Sequence, residues 1–303
     1  MGIGLMFHHF FDSHHPRGQG AISAAEFAAL LEKVQQERTI LDVQTWWERC
    51  LAGTLREEEC CLTFDDALLC QYEIALPVLE EKGLNAYWFV YSSIFEGNLE
   101  PLEIYRHFRT VAFDSIDAFY RDFFRTVVAE QPASHAVLAS RQALDYLAEF
   151  PFYTSNDRIF RYLRDKVLQE GAYDRVMQAM MRQHGYDPVV ASRRLWMRPE
   201  QVAALHRAGH AIGLHSHTHP TRLADLPLER QREEYRRNRD YLTDLLGTAP
   251  VVMSHPCNSY SADTLTILGE LKVVMGFRSN PLAVTGRTLL ELARLDHTAL
   301  MTS

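Results

Sequence analysis

Three histidines stand at alternate positions in one short stretch, His215, His217 and His219 of AIGLHSHTHP. Imidazole is the commonest protein ligand for zinc-like metals, and three such rings are costly to bury without partners. As an extended segment, the stretch sends His215, His217 and His219 to one side and Ser216 and Thr218 to the other. If the chain turns at Ser216 instead, His215 and His219 converge on one point. A metal site then needs a carboxylate, and Asp65-Asp66 offers two at the end of the apolar run CCLTF. One Asp with two His makes a three-ligand set that leaves positions open for water and substrate. A second Asp beside the ligand is placed to take a proton from water made acidic by the metal. Taken singly, an Asp-Asp pair is an ordinary turn or cap and a histidine loop is ordinary polar surface. Together, each at the end of an apolar run, they point to one site.

The elements that must position these groups follow from periodicity. Residues 2–7 form a first short strand ending at His8-His9. Ser23 and Glu26 make a capping box, and Phe27, Leu30, Leu31 and Val34 behind it trace one face of a helix. Residues 60–64 read as a buried strand; a helix carrying Leu69, Tyr72, Leu76 and Leu79 follows, stopped near Gly83, and residues 86–91 make the next strand. Strand, helix and strand at this spacing form a βαβ unit with parallel strands. The rhythm returns after a helix that starts at Pro199 and ends at Gly209, with the histidine stretch as the strand that follows. Next come a polar helix over about 227–246, a strand at 250–254, a helix at 261–271, and strands at 273–277 and 288–295. Repeated alternation of this kind predicts an α/β barrel or a doubly wound sheet, with functional groups at the C-terminal strand ends. Residues 97–197 differ in character. They are rich in aromatics, including Phe119, Phe123, Phe150, Phe152, Tyr153 and Phe160, and predict a helical insertion that caps the barrel.

Composition bounds the partners. The chain of 303 residues carries 31 basic and 39 acidic side chains, a net charge of −8, with no basic stripe for nucleic acid. Five cysteines without a CxxC pair suit a reducing compartment. No apolar run approaches a membrane span, and the N-terminus lacks the basic and apolar regions of a secretory signal, so a cytoplasmic protein is expected.

Thr63-Phe64-Asp65-Asp66-Ala67 resembles the TFDD(G/A) motif of the polysaccharide deacetylases of the NodB-homology type. His215-Ser216-His217-Thr218-His219-Pro220 is similar to the H(S/T)xxHP motif of the same family, in the expected order. Likeness extends to Phe7-His8, the capping-box helix, and residues 248–278, about two-thirds of the chain. The resemblance implies a distorted (β/α) barrel, here a single catalytic domain over 1–303 interrupted by the helical insertion at about 97–197. It implies Asp66, His215 and His219 as ligands of one divalent metal, zinc first with other first-row divalent ions open, and Asp65 as general base. His217 falls at a variable position, as a neighbour or a substrate contact. Two departures stand out. The family's Arg-x-Pro-(Tyr/Phe) motif is replaced by Ser254-His255-Pro256-Cys257, which removes the usual orienter of the base or moves that duty elsewhere. Leu295-Asp296-His297 fits the late Leu-x-His motif of the general acid, while also resembling an Arg-Leu-Asp ending. His297 or His255 is therefore expected to protonate the leaving amine, with His8 and His9 as further candidates.

The activity implied is removal of an N-acyl group, acetyl or formyl, from an amino sugar. The expected substrate is a small N-acylated sugar or glycan precursor in cytoplasmic surface-polysaccharide biosynthesis. An oligomer formed through the insertion is left open. Two other classes compete: a non-catalytic glycan-binding relative, and an amidohydrolase-type metal hydrolase using His215 and His217.

Overall fold

Parallel strands need crossovers that cover the sheet, and alternating apolar runs and amphipathic helices supply them. The computed structural model describes residues 2–148, 154–168, 171–282 and 288–301. Its strands are β1 (Ile3–Phe7), β2 (Thr39–Ile40), β3 (Glu59–Asp65), β4 (Tyr87–Val90), β5 (Ala211–Leu214), β6 (Val252–Ser254), β7 (Met275–Phe277) and β8 (Arg294–Asp296). They form one sheet in the order β7-β6-β5-β4-β3-β1-β8, with β2 beside the start of β3. Every pairing is parallel. Backbone bonds from Arg278 N to Leu292 O and from Leu292 N to Gly276 O join the β7 edge to the segment just before β8, leaving a nearly closed barrel. The expected distorted (β/α) barrel is the fold found.

The helices of the barrel unit before residue 100 are α1 (Ala24–Glu37), α2 (Val43–Ala52) and α3 (Leu76–Glu81). Ser23 and Glu26 cap α1 reciprocally, and the helix buries Phe27, Leu30, Leu31 and Val34. Helix α2 has no counterpart in the sequence reading. Asp42 accepts from Thr45 N at its start, and Trp46 and Cys50 are its buried contacts. The helix expected after Asp66 begins instead with a π turn over Gln71–Ala75. The strand expected over 288–295 is shorter, because Thr288 and Glu291 cap each other's backbone around a 3-10 turn at Leu289–Glu291. Only Arg294–Asp296 pairs with β1.

The chain divides into two compact units, Met1–Glu100 with Arg194–Ser303, and Pro101–Arg193. The second unit is helical: α4 (Pro101–Val111), α5 (Ile116–Glu130), α6 (Arg141–Leu144), α7 (Ser155–Tyr162), α8 (Ala172–Gln183) and α9 (Pro188–Ser192). Phe119, Phe123 and Phe160 pack ring against ring at its centre. Tyr120 Oη donates to Asp157 Oδ1 at 2.5 Å beside them. Phe150, Phe152 and Tyr153 lie outside the described residues. The first unit resumes with α10 (Pro199–Arg207), α11 (Leu228–Leu246), α12 (Ala262–Glu270) and α13 (His297–Met301).

All seven residues of β3 are buried, as expected of a strand covered on both faces. Its alternation sorts two clusters. Phe64 stacks on Trp88 at 4.3 Å and packs against Phe7 and Phe27. Cys61 belongs to the other cluster, with Tyr87, Phe89, Phe277 and, from α2, Trp46. Each such large side chain contributes about 1.5–3 kcal/mol by leaving water. Asp65 shares the parity of Cys61 and Thr63, so the second cluster's face carries the carboxylate at its C-terminal end.

Candidate active site

Asp65 is the last residue of β3, and Asp66 begins the turn beyond it. Asp66 and Ala67 both adopt left-handed backbone, with φ of 78° and 51°. A non-glycine residue held there costs about 1–3 kcal/mol, so the surroundings must impose it. Asp66 N donates to Phe89 O at 3.0 Å. From the π turn, Gln71 Nε2 donates to the carbonyls of Asp65 and His8 at 2.6 and 2.8 Å, tying the ends of β1 and β3 together. The histidine stretch solves the same problem at the end of β5. The strand stops at Leu214, and Ser216 and His219 turn left-handed with φ of 62° and 55°. Of the two readings of AIGLHSHTHP, the turn at Ser216 is the one realised. It brings the His215 and His219 rings to 4.9 Å.

Asp66 Oδ1 lies 3.4 Å from His215 Nε2 and 3.5 Å from His219 Nε2. One nitrogen or oxygen from each of the three residues falls within 4.8 Å of the others. His215 Nδ1 donates to Ser254 O at 2.9 Å, which leaves the Nε2 lone pair facing Asp66. His219 stacks on Tyr91, whose hydroxyl accepts from Trp196 Nε1. Asp66 Oδ1 is itself buried with no hydrogen-bond partner. A buried, unpaired carboxylate oxygen between two imidazole nitrogens fits a divalent cation, which would satisfy all three. Burial works against charge on Asp66, but His219 and His215 hold its carboxyl well below the usual carboxylate range.

Asp65 has different company. Arg294, fully buried on β8, donates Nη1 to Asp65 Oδ1 at 2.6 Å and Nη2 to Asp65 Oδ2 at 2.7 Å. Its remaining N–H groups reach Ser254 Oγ at 2.6 Å, Arg278 O at 2.7 Å and Thr63 Oγ1 at 3.3 Å. Burial pushes the Asp65 carboxyl up, but the Arg294 guanidinium outweighs it and keeps the carboxyl below its ordinary value. Gly4 makes room for this arginine, since a Cβ there would stand 2.9 Å from Arg294 Cγ. Ser254 stands where the family pattern has its arginine, and the guanidinium that meets Asp65 comes instead from β8. Ser254, at the departed motif position, hydrogen-bonds both members of the pair. Arg294 is not among the residues the sequence singles out; its one signal there is the Arg294-Leu295-Asp296 ending.

The remaining histidines sort by geometry. His8 Nε2 stands 3.8 Å from Asp65 Oδ2 and 4.0 Å from Asp66 Oδ2, with a quarter of its side chain exposed. His297 and His255 do not join them. His297 is buried, stacks on Phe7, and donates Nε2 to Gly20 O at 2.9 Å. Asp296 accepts from Thr298 N and Oγ1 as the cap of α13. His255 stacks on Tyr260 and donates Nε2 to Leu290 O at 2.8 Å; burial pushes its pKa down to about 4. His217 is buried, with Nδ1 2.9 Å from Ser92 Oγ and Nε2 3.5 Å from Glu96, outside the three-residue cluster.

A family model described as polysaccharide deacetylase matches residues 176–276, a third of the chain. Three solved structures share the fold across nearly the whole length. The Streptococcus pyogenes deacetylase PplD, in complex with acetate, is 15% identical with a TM-score of 0.56, covering 97% of this chain and 91% of its own. IcaB from Ammonifex degensii is 17% identical with a TM-score of 0.55, covering 97% and 90%. The de-N-acetylase from Aggregatibacter actinomycetemcomitans is 11% identical with a TM-score of 0.56, covering 98% and 95%. No curated protein matches the sequence. The likeness is thus to polysaccharide deacetylases: a family model matched over a third of the chain, and a barrel shared with solved deacetylases at 11–17% identity.

Proposed function

We propose that this chain is a metal-dependent hydrolase that removes an N-acyl group from an amino sugar. The observation that carries the reading is the buried, unpartnered Asp66 Oδ1, set 3.4 and 3.5 Å from the Nε2 atoms of His215 and His219. Asp66, His215 and His219 would hold one divalent ion, zinc first, which would activate water and polarise the acyl carbonyl. Asp65, ionised and held in plane by Arg294 and Ser254, accepts the proton as water adds to the acyl carbon. The bidentate arginine grip leaves that carboxylate little freedom to rotate, which favours one aligned proton path. His8 gives a proton to the nitrogen as the C–N bond breaks, releasing the free amine and a carboxylate. We assign this step to His8 because its ring faces both carboxylates and is partly open to solvent. The Nε2 atoms of His255 and His297 are engaged with backbone carbonyls.

Acetyl is the favoured acyl group, since one structural relative carries acetate and another is named a de-N-acetylase. Five free cysteines suit a reducing compartment, so the substrate we favour is a cytoplasmic sugar or glycan precursor. The test is release of acetate or formate from a panel of free, nucleotide-linked and oligomeric N-acyl amino sugars. Release should stop with chelator and return with added zinc or cobalt. Bound metal with no release from any member of the panel would overturn hydrolysis in favour of glycan binding.

A further inference from the structure

Helix α11 is rich in charged side chains, yet one face of it is buried and polar. Gln231, Glu234 and Asn238 follow at i, i+3 and i+7, and their exposures are 2%, 4% and 0%. What they bond is the histidine loop and its frame. Asn238 Oδ1 accepts from His215 N at 3.0 Å, and Asn238 Nδ2 donates to Val90 O at 3.0 Å and Ser92 Oγ at 3.1 Å. Glu234 Oε2 accepts from His217 N at 3.0 Å and Thr218 N at 2.7 Å, while Oε1 accepts from Thr218 Oγ1 at 2.7 Å. Gln231 anchors the helix, donating Nε2 to Ala224 O and Leu226 O and accepting from Thr264 Oγ1 at 2.7 Å. The last loop amide, His219 N, donates to Ser216 Oγ at 3.1 Å. Side chains thus satisfy the amides of residues 215 and 217–219, three of the four from α11. Those amides belong to a loop with two left-handed non-glycine residues, Ser216 and His219, which relaxes unless it is held.

We infer that the buried polar face of α11, and Glu234 above all, sets the metal affinity of the His215–His219 loop by holding its two imidazoles in register. This rests on the metal-site reading proposed above. Glu234 is a positioning residue: its carboxylate bonds the loop at Oε2 and Oε1 and spans the segment between the two ligands. Charge-assisted bonds of this kind are stronger than neutral ones and fix geometry more tightly. Glu234→Gln keeps the volume and removes the charge, so the bonds to the two loop amides and to Thr218 Oγ1 lose their charge assistance.

The experiment is a zinc competition titration of the full chain, with the cobalt absorption spectrum as a report on ligand geometry. The unaltered protein is compared with Glu234→Gln and Asn238→Leu, and the melting temperature of each metal-free protein is measured alongside. Zinc affinity is expected to fall 10–100-fold in Glu234→Gln, the range found for partners that orient metal ligands, with an altered cobalt spectrum. A purely structural role would lower the metal-free melting temperature and leave zinc affinity within threefold, and that result overturns the inference. If Glu234→Gln fails to fold, Thr218→Val carries the test, because it removes only the hydroxyl contact at an exposed residue. Weaker zinc binding there supports the inference, and unchanged binding overturns it. Failure of the unaltered protein to bind zinc or cobalt would instead remove the metal-site reading beneath it.

Discussion

Asp65 and Asp66 are chain neighbours whose surroundings divide their roles. Asp66 faces two imidazoles with an unpartnered oxygen, whereas Asp65 faces a guanidinium that uses both of its oxygens. The same substitution logic should therefore give different results at the two positions. Asp66→Ala should abolish stoichiometric zinc binding measured by metal analysis after dialysis. Asp65→Asn should keep the zinc and lose about 10²–10⁴-fold in deacylation rate, the contribution of a positioned proton acceptor. Arg294→Met leaves Asp65 buried without its counter-charge. It should cost about 3–5 kcal/mol in denaturant unfolding, the usual cost of breaking one side of a buried ion pair. Lysine at the same position should not restore the pair, because a single ammonium cannot supply the fork that reaches both carboxylate oxygens, Ser254 and Arg278. Retained activity in Arg294→Met would remove the orienting role proposed for it.

At the scale of elements, the site is assembled where strands end, and what starts the strands matters as much. His210 precedes β5 and accepts from Ala86 N, ahead of β4, at 3.1 Å through Nδ1. It is buried edge-on against Trp88, and burial pushes its pKa down to about 4. The neutral ring is the one the fold accommodates, so the unfolded chain takes up the proton first as pH falls. Stability from this residue is therefore full above about pH 6.5 and is lost between there and about pH 4. A difference of that size corresponds to about 3 kcal/mol. Chemical denaturation in chelator at pH 7.5 and pH 4.5 should show the loss. His210→Gln, which keeps an acceptor for Ala86 N without titrating, should show less of it. Equal losses in both proteins would place the pH dependence elsewhere. His255, held neutral in the same way, would contribute with the same sign.

At the scale of the whole molecule, the proposed metal would join residues from the two sequence segments of the barrel unit, so binding and folding should be linked. An ion at a hundredfold excess over its Kd stabilises the native state by about 2.7 kcal/mol. Chelation should lower the melting temperature by several degrees, and zinc should restore it. In Asp66→Ala the chelator should make no difference. A chelator-insensitive melting temperature in the unaltered protein would argue that no ion occupies the site.

Much of this arrangement is written locally in the chain. The capping box at Ser23 and Glu26, the apolar run into Asp65 and the turn-prone HSHTHP segment depend on neighbours a few residues away, and they form as their local chemistry dictates. Strand ends could be placed because parallel βα units carry their functional groups there. Register across the sheet was not legible. Arg294 meets Asp65 across 229 positions only because β8 lies beside β1, and Gly4 of β1 leaves space for the side chain to cross. The approach of His8 to both carboxylates likewise depends on β1 pairing with β3, with Phe7 opposite Phe64. The segment reads in sequence only as a polar helix, and tertiary packing turns one of its polar faces toward the histidine loop. Residue types and local spacing determined which groups are available for chemistry. The barrel decided which of them meet, because contact between distant segments is set by strand order and register, which no local pattern encodes.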